Sequence, residues 1–343
     1  MNNNRLPVLT IVVPCYNEEE VLMITARELT SILKELISET LISPESSMLF
    51  VDDGSKDRTW ELITALHKTN RHANGIKLSK NAGHQNALLA GMDTAKSYSD
   101  CIITIDADLQ DDVQAIRQFI FKYREGHDVV YGIRSERKSD TAFKRHTAQW
   151  FYKGMEKMGV DLVYNHADYR LLSKRALEEL SRYRERNFFI RGVIPLLGFR
   201  SAEVYYDRKE RAAGESKYPL RKMLAFAFDG ITSFSIKPIR LLTVSGFFFL
   251  VFSALAGIFA VIQKFNGYTV PGWTSIMLSI WFIGGLQLMG IGLVGEYVGK
   301  VFKEVKQRPR YGIDSGLIRN SSQPKKTSAA PLRTRLRSSR KLS

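Results

Sequence analysis

Cys101-Ile102-Ile103-Thr104-Ile105-Asp106-Ala107-Asp108-Leu109-Gln110 joins a short apolar run to two carboxylates one residue apart. The run is rich in β-branched residues and does not alternate, the pattern of a strand buried on both faces. Such strands build parallel sheets, and ligands bind those sheets outside the carboxyl ends of the strands. Asp106, Asp108 and Gln110 fall at that end. Two further runs close in the same way. Leu9 to Val13 leads into Pro14-Cys15-Tyr16-Asn17-Glu18, and Met48 to Val51 leads into Asp52-Asp53-Gly54-Ser55, with Asp57 and Thr59 beyond. Ser55 or Asp57 fits as a cap for a helix beginning near Thr59. Capping does not account for three polar clusters at three strand ends, and a buried strand has no structural need for Asp106 and Asp108 directly after it.

Working outward, amphipathic stretches of helix length separate the runs: Glu18 to Leu36, Thr59 to His67, Gln85 to Ala95 and Val113 to Tyr123. Further strands are expected over Gly75 to Leu78 and Asp128 to Tyr131. The alternation predicts an α/β domain with a mainly parallel sheet over residues 1–217. Cys15 and Cys101 lie in or beside strands and read as packing thiols, with no C-x-x-C or His/Cys cluster to suggest zinc. Leu9 to Pro14 is too short for the apolar core of a signal peptide, so this domain is expected in the cytosol.

An average of 44% hydrophobic and 25% charged residues conceals a second part of different character. Residues 218–240 are amphipathic and basic. Leu220, Met223, Leu224, Phe226, Ala227, Phe228 and Ile231 are expected to form one apolar face, with Arg221 and Lys222 beside it. An ordinary core helix has this pattern too, but the position just before an apolar stretch favours an interfacial helix. Leu241 to Gln263 and Phe265 to Gly295 carry no charge. Each can supply the roughly 20 residues that cross about 30 Å of hydrocarbon, so 241–300 is expected to form a two-helix transmembrane hairpin. Lys237 and Arg240 precede the first stretch, Lys300, Lys303, Lys306, Arg308 and Arg310 follow the second, and Lys264 alone lies by the connecting turn. That bias predicts a multi-pass protein of the cell membrane with both termini cytoplasmic. Gly290-Ile291-Gly292-Leu293-Val294-Gly295 matches a dinucleotide fingerprint, but no strand precedes it, and it reads instead as a helix-packing surface. The formal net charge is +15, and every charge beyond Ser315 is basic. Residues 301–343 are therefore expected to be a largely disordered tail. Its charge suits an anionic membrane surface better than nucleic acid, for which no aromatic-interleaved basic surface exists.

Asp-x-Asp sets two carboxylates on one side of an extended segment. Mg²⁺ and Mn²⁺ take such oxygen ligands and commonly bridge to phosphate, and Gln110 can add a neutral oxygen. Taken together, P-x-Y-N-E, D-D-G-S and D-A-D-L-Q, in this order and spacing, resemble the inverting family 2 glycosyltransferases. Within them the chain resembles the polyprenyl-phosphate sugar transferases, relatives of dolichyl-phosphate mannose synthase and of the bactoprenol glucosyltransferases. The likeness runs from Pro7 to Pro309.

The resemblance implies a GT-A, Rossmann-like fold. It places Pro14, Tyr16, Glu18 and Asp53 on the nucleoside, Asp106 on the nucleotide, and Asp106, Asp108 and Gln110 around Mg²⁺ or Mn²⁺. Asn81-Ala82-Gly83-His84-Gln85-Asn86-Ala87 resembles the family's N-x-G-x-x-x-A segment on the nucleotide side. His84 in isolation reads as a surface or capping residue. Asp168-Tyr169-Arg170-Leu171-Leu172 resembles D-F-R-L-L, with Tyr169 replacing the usual Phe, and makes Asp168 a candidate for sugar contact or base. Arg211 to Tyr218 resembles the mobile loop R-x-x-G-x-S-K-Y. Asp108, Asp168, Arg211 and Lys217 are the catalytic candidates. Arg134, Arg137, Lys144 and Arg145 form a basic group that reads by itself as a solvated face and by resemblance as a site for the lipid phosphate. Ala148 stands there where a hydroxyl residue is common, with Thr147 beside it.

The implied reaction moves a sugar, from UDP-N-acetylglucosamine or UDP-glucose, to undecaprenyl or another polyprenyl phosphate with inversion. The same likeness implies a homo-oligomer, tetrameric in bacterial relatives, with a separate flippase and a downstream glycosyltransferase. A processive polysaccharide synthase shares the early motifs, but the Q-x-x-R-W signature of those enzymes is missing from the sequence. A non-catalytic nucleotide-sugar-binding membrane protein is the other alternative, and a degenerate Asp106 or Asp108 would favour it.

Overall fold

The computed structural model describes residues 5–135, 166–185, 188–207, 237–266 and 272–319. The apolar runs are strands: β1 (Leu9–Cys15), β2 (Ser47–Asp52), β3 (Ala73–Leu78), β4 (Cys101–Thr104) and β5 (Val129–Arg134). Four helices follow the first four strands in turn: α1 (Leu22–Ser38), α2 (Thr59–Thr69), α3 (His84–Ala95) and α4 (Ala115–Arg124). β1 pairs parallel with β2 and β4, and β2 pairs parallel with β3. β6 (His166–Ser173) enters between β4 and β5, antiparallel to both. After the short helices α5 (Lys174–Leu180) and α6 (Ile190–Leu196), β7 (Ser201–Tyr206) returns parallel to β5. The order is β7-β5-β6-β4-β1-β2-β3-β8, where β8 (Ile313–Leu317) runs antiparallel along β3. The sheet is GT-A-like, parallel at its centre and mixed toward both sides.

Two apolar cores cover the two faces. Leu22, Leu29, Leu33, Ile63, Ile116 and Phe119 pack against one face, and Leu88, Met92, Leu177, Val193 and Ile194 against the other. Helix α3 lies close on the sheet because Gly91 has no side chain: a Cβ there would come within 2.3 Å of Val12 Cγ1. Helix α1 begins at Leu22 rather than at Glu18. Asn17 takes a left-handed φ of 55°, and the Glu18 carbonyl accepts from Val21 and Leu22 N–H, so the intervening residues form a turn. Cys15 and Cys101 are buried free thiols.

Both uncharged stretches are helical, as α7 (Lys237–Phe265) and α8 (Trp273–Val305). The second starts later than its uncharged stretch and runs on through Lys300 and Lys303 to Val305. Among the described residues, one segment, Phe282–Val305, is long and apolar enough to cross a membrane. Large apolar side chains stand exposed along both helices, Phe252 at 70% and Leu288 at 72% among them. Gly290 meets Leu242 of α7, whose Cδ2 lies 3.0 Å from where a Cβ would stand, the packing role read from its small size. Of the expected largely disordered tail over 301–343, the part up to 319 is corrected here: the end of α8 and β8 are ordered, because β3 offers an unpaired edge for Ile313–Leu317, while residues 320–343 lie outside the described residues. The amphipathic stretch 218–240 lies outside the described residues apart from Lys237–Arg240, which begin α7.

Candidate active site

The first two strand-end loops interlock. Asn17 N–H donates to Ser55 Oγ at 3.0 Å, Lys56 N–H to Asn17 Oδ1 at 2.9 Å, and Glu18 N–H to Thr59 Oγ1 at 2.9 Å. Asp57 Oδ1 accepts from Thr59 N–H at 3.0 Å and from its hydroxyl at 2.6 Å, so Asp57 rather than Ser55 bonds the start of α2, whose N-cap position is Arg58. Against the upward push of burial, these bonds hold the Asp57 carboxyl below its ordinary value. Pro14 sits in β1 opposite Val51, and Tyr16 is exposed at the loop.

Asp53 faces a third segment. Its Oδ1 accepts from Ala82 N–H at 2.7 Å and its Oδ2 from Gly83 N–H at 2.9 Å. Burial pushes the Asp53 carboxyl up while these two bonds oppose it. Gly83 has φ +91°, a left-handed value suited to glycine, and the chain then enters α3 at His84. Gly54, at φ +69°, packs against the same segment; a Cβ there would stand 2.7 Å from Asn81 N. Asn81 is thus held in place by its backbone, with its side chain exposed.

His84 is where the clusters meet. Its Nε2 lies 3.5 Å from Asp106 Oδ1 and 3.4 Å from Asp168 Oδ2. Burial pulls the imidazolium pKa down, but the Asp168 hydrogen bond and the Asp106 charge outweigh it and raise it. Asp168 also accepts from Arg170 and from Arg191, whose Nε donates to Oδ1 at 3.2 Å and Nη2 to Oδ2 at 3.0 Å. Burial would raise the Asp168 carboxyl, yet His84, Arg170 and Arg191 hold it well below the usual range. Thr104 Oγ1 donates to the Asp168 carbonyl and locks β4 to β6 beneath the site.

Asp106 is pushed up to about 6 by desolvation; the His84 charge opposes this, and Asp168, Asp111 and Asp108 add to it. Its Oδ1 is buried with no hydrogen-bond partner. Asp108 Oδ1 accepts from Gln110 N–H at 3.2 Å across Leu109, whose φ of 55° is a strained value for a bulky residue. Among the described residues, no three His, Cys, Asp or Glu side chains form a ready metal cluster. Asp106 and Asp108 still fit Mg²⁺ or Mn²⁺, because they offer hard oxygens, one of them orphaned, and leave coordination positions for a diphosphate.

The basic group is divided. Arg134 Nε and Nη2 donate to Oδ1 of buried Asp111 at 3.2 and 3.0 Å, and Tyr206 donates to the same oxygen at 2.7 Å. Arg134 is thereby tied to β7 and the acidic turn. Arg137, Lys144, Arg145, Arg211 and Lys217 lie outside the described residues. Sequence reasoning missed Arg191 and Asp111 and undervalued His84. Asp111 was within reach, directly after Gln110; Arg191, in Phe188-Phe189-Ile190-Arg191-Gly192, carries no local signal.

The model of glycosyl transferase family 2 matches residues 10–181. YkoT of Bacillus subtilis (strain 168), an uncharacterized glycosyltransferase, is 59% identical over 318 residues, spanning 93% of this chain and 94% of that one. The bactoprenol glucosyl transferase of Shigella phage SfX is 39% identical over 312 residues, spanning 90% of this chain and 99% of that one. Mannosyl-3-phosphoglycerate synthase from Rubrobacter xylanophilus overlays with a TM-score of 0.46 at 14% identity, covering 70% of this chain and 75% of that structure, too loose a likeness to bear on activity. The largely parallel α/β sheet, with these matches, defines a glycosyltransferase. The chain belongs to glycosyl transferase family 2.

Proposed function

We propose that this glycosyltransferase moves a sugar from a UDP-sugar to undecaprenyl or another polyprenyl phosphate, with inversion, at the cytoplasmic face of the cell membrane. The observation that carries the proposal is the reach of one likeness: the phage bactoprenol glucosyl transferase matches over 99% of its own length, apolar helices included. That relative's name favours UDP-glucose over UDP-N-acetylglucosamine. In this reading α7 and α8 are two membrane spans with both ends cytoplasmic, which accounts for their exposed apolar side chains. Oligomerisation, a separate flippase and a downstream glycosyltransferase belong to the same reading.

Asp53 shapes the nucleotide side by fixing the turn at Ala82 and Gly83. Asp106, Asp108 and Gln110 would hold Mg²⁺ or Mn²⁺, which when bound offsets charge on the departing diphosphate. Arg211 and Lys217 are assigned to that diphosphate, and Arg137, Lys144 and Arg145 to the lipid phosphate. Asp168, with its oxygens engaged by Arg170, Arg191 and His84, orients these groups rather than taking a proton. No strong base is needed, because a phosphate monoester has its second pKa near about 6 and reaches the site as an anion. Rate then comes from positioning and charge stabilisation.

The test incubates the solubilised protein with undecaprenyl phosphate, Mn²⁺ or Mg²⁺ and a panel of labelled nucleotide-sugars, and reads label in the organic phase. Label from UDP-glucose, lost with EDTA and in a folded Asp108→Ala variant, is the expected result. Transfer unaffected by Asp108→Ala refutes the metal assignment. No transfer from any donor refutes the reaction.

A further inference from the structure

Directly beyond α8, residues 306–319 stay on the catalytic domain. Arg310 Nη2 donates to the Tyr183 carbonyl at 2.5 Å, and its guanidinium lies 4.6 Å from the centre of the Phe188 ring. Phe188 leads within three residues to Arg191, which holds Asp168, and Ile190 N–H donates to Gln85 Oε1 at 3.1 Å. Tyr311 hydroxyl donates to Asp93 Oδ2 at 2.7 Å on α3, the helix that begins with His84. The Gly312 carbonyl accepts from Ser79 N–H at 2.9 Å. Ser79 leads directly into the Asn81–Gly83 turn that Asp53 holds. Between the end of α8 and helices α3 and α5 lies a cavity of about 940 Å³, lined by Leu89, Lys96, Leu177, Glu304 and Arg308. The helix end faces this cavity, and the strap that follows it bonds directly to the domain.

We infer that Arg310, Tyr311 and Gly312 are positioning residues for sugar transfer, bracing both walls of the cleft, the Asn81–Gly83 turn and the Phe188–Arg191 segment, against the membrane helix. The inference rests on the reading of α8 as a membrane span. Through these three residues the helix sets the donor turn and the Asp168 clamp at a fixed height and distance from each other. None of the three touches a reacting atom.

The test uses the full chain in lipid nanodiscs, as wild type, Arg310→Ala, Tyr311→Phe and Arg310→Lys. Amide hydrogen exchange is expected to quicken over 79–83 and 188–191 in Arg310→Ala, over 79–83 in Tyr311→Phe, and to return toward wild type in Arg310→Lys, all with the melting temperature within about 4 °C of wild type. KM for the nucleotide-sugar should rise about fivefold in Arg310→Ala, as loss of one net hydrogen bond implies, while KM for the lipid phosphate stays constant. Unchanged exchange in these segments overturns the inference. So does faster exchange spread over the whole domain, or local quickening with unchanged kinetics, which leaves only a structural tie. If the wild type transfers no sugar, the proposed reaction fails, and the exchange pattern alone decides the strap.

Discussion

Replacing Asp168 by Asn probes the electrostatic construction of the cleft. The residue is 9% exposed, and it accepts from Arg170, which is 1% exposed. Asn keeps the shape, removes the charge and turns one acceptor into a donor facing guanidinium N–H groups. Removing one partner of a buried ion pair costs about 3–5 kcal/mol. Arg191 adds little to that figure, because its side chain is 37% exposed and solvent screens the pair. At about 2–4 °C per kcal/mol for a domain of this size, the melting temperature should fall by roughly 6–20 °C. The acid dependence has a definite sign. Asp168 is held below its unfolded value of about 3.9, so its contribution is complete above that pH and is lost as pH falls through the folded value. Thermal melts of the detergent-solubilised protein should therefore show a gap between wild type and Asp168→Asn that widens as His84 takes up its proton below pH 7, is largest between about pH 6 and 4, and narrows below that. A variant that melts within about 2 °C of wild type at pH 7, or a gap that does not narrow in acid, refutes the reasoning.

Asp111→Ala should destabilise by a similar amount, about 3–5 kcal/mol, since Arg134 and Tyr206 share its Oδ1; chemical unfolding of the solubilised protein reads this. Gly54→Ala forces a Cβ to 2.7 Å from Asn81 N at a φ of +69°. It should cost at least about 1–2 kcal/mol and raise KM for the donor more than KM for the lipid, measured by steady-state transfer. Gly91→Ala drives a Cβ to 2.3 Å from Val12 Cγ1. Here about 1–3 kcal/mol of stability should be lost by thermal melt, with turnover per folded molecule preserved.

The parallel centre of the sheet was legible because β1, β2 and β4 are uninterrupted apolar runs, each ending in polar residues. β6 was read as a motif and not as a strand. Its buried Arg170 breaks the apolar pattern, and the Asp168 carboxylate, brought into place by the fold, offsets the cost of that burial. β8 has the sequence Ile-Asp-Ser-Gly-Leu, too polar to announce a strand; pairing with β3 defines it, and local propensity does not. The Asp106–His84–Asp168 meeting was not readable either. It depends on β6 entering antiparallel beside β4, a topological choice that no residue in α3 encodes. Arg134 was read as one of a group of cations for the lipid phosphate, but its partner Asp111 lies across a loop, and charge counting does not reveal pairing.

The place of β8 in the chain has a consequence for biogenesis. Its partner β3 is made early, while β8 leaves the ribosome only after both apolar helices have been synthesised. At about 5–20 residues per second, the hydrogen-bonding edge of β3 stands open for roughly ten seconds or more while the two helices are synthesised. Completion of the sheet thus reports that both apolar helices have been made. A chain that stalls before β8 emerges presents to quality-control proteases, or to its neighbours on the same polysome, a bare strand that the finished enzyme never shows.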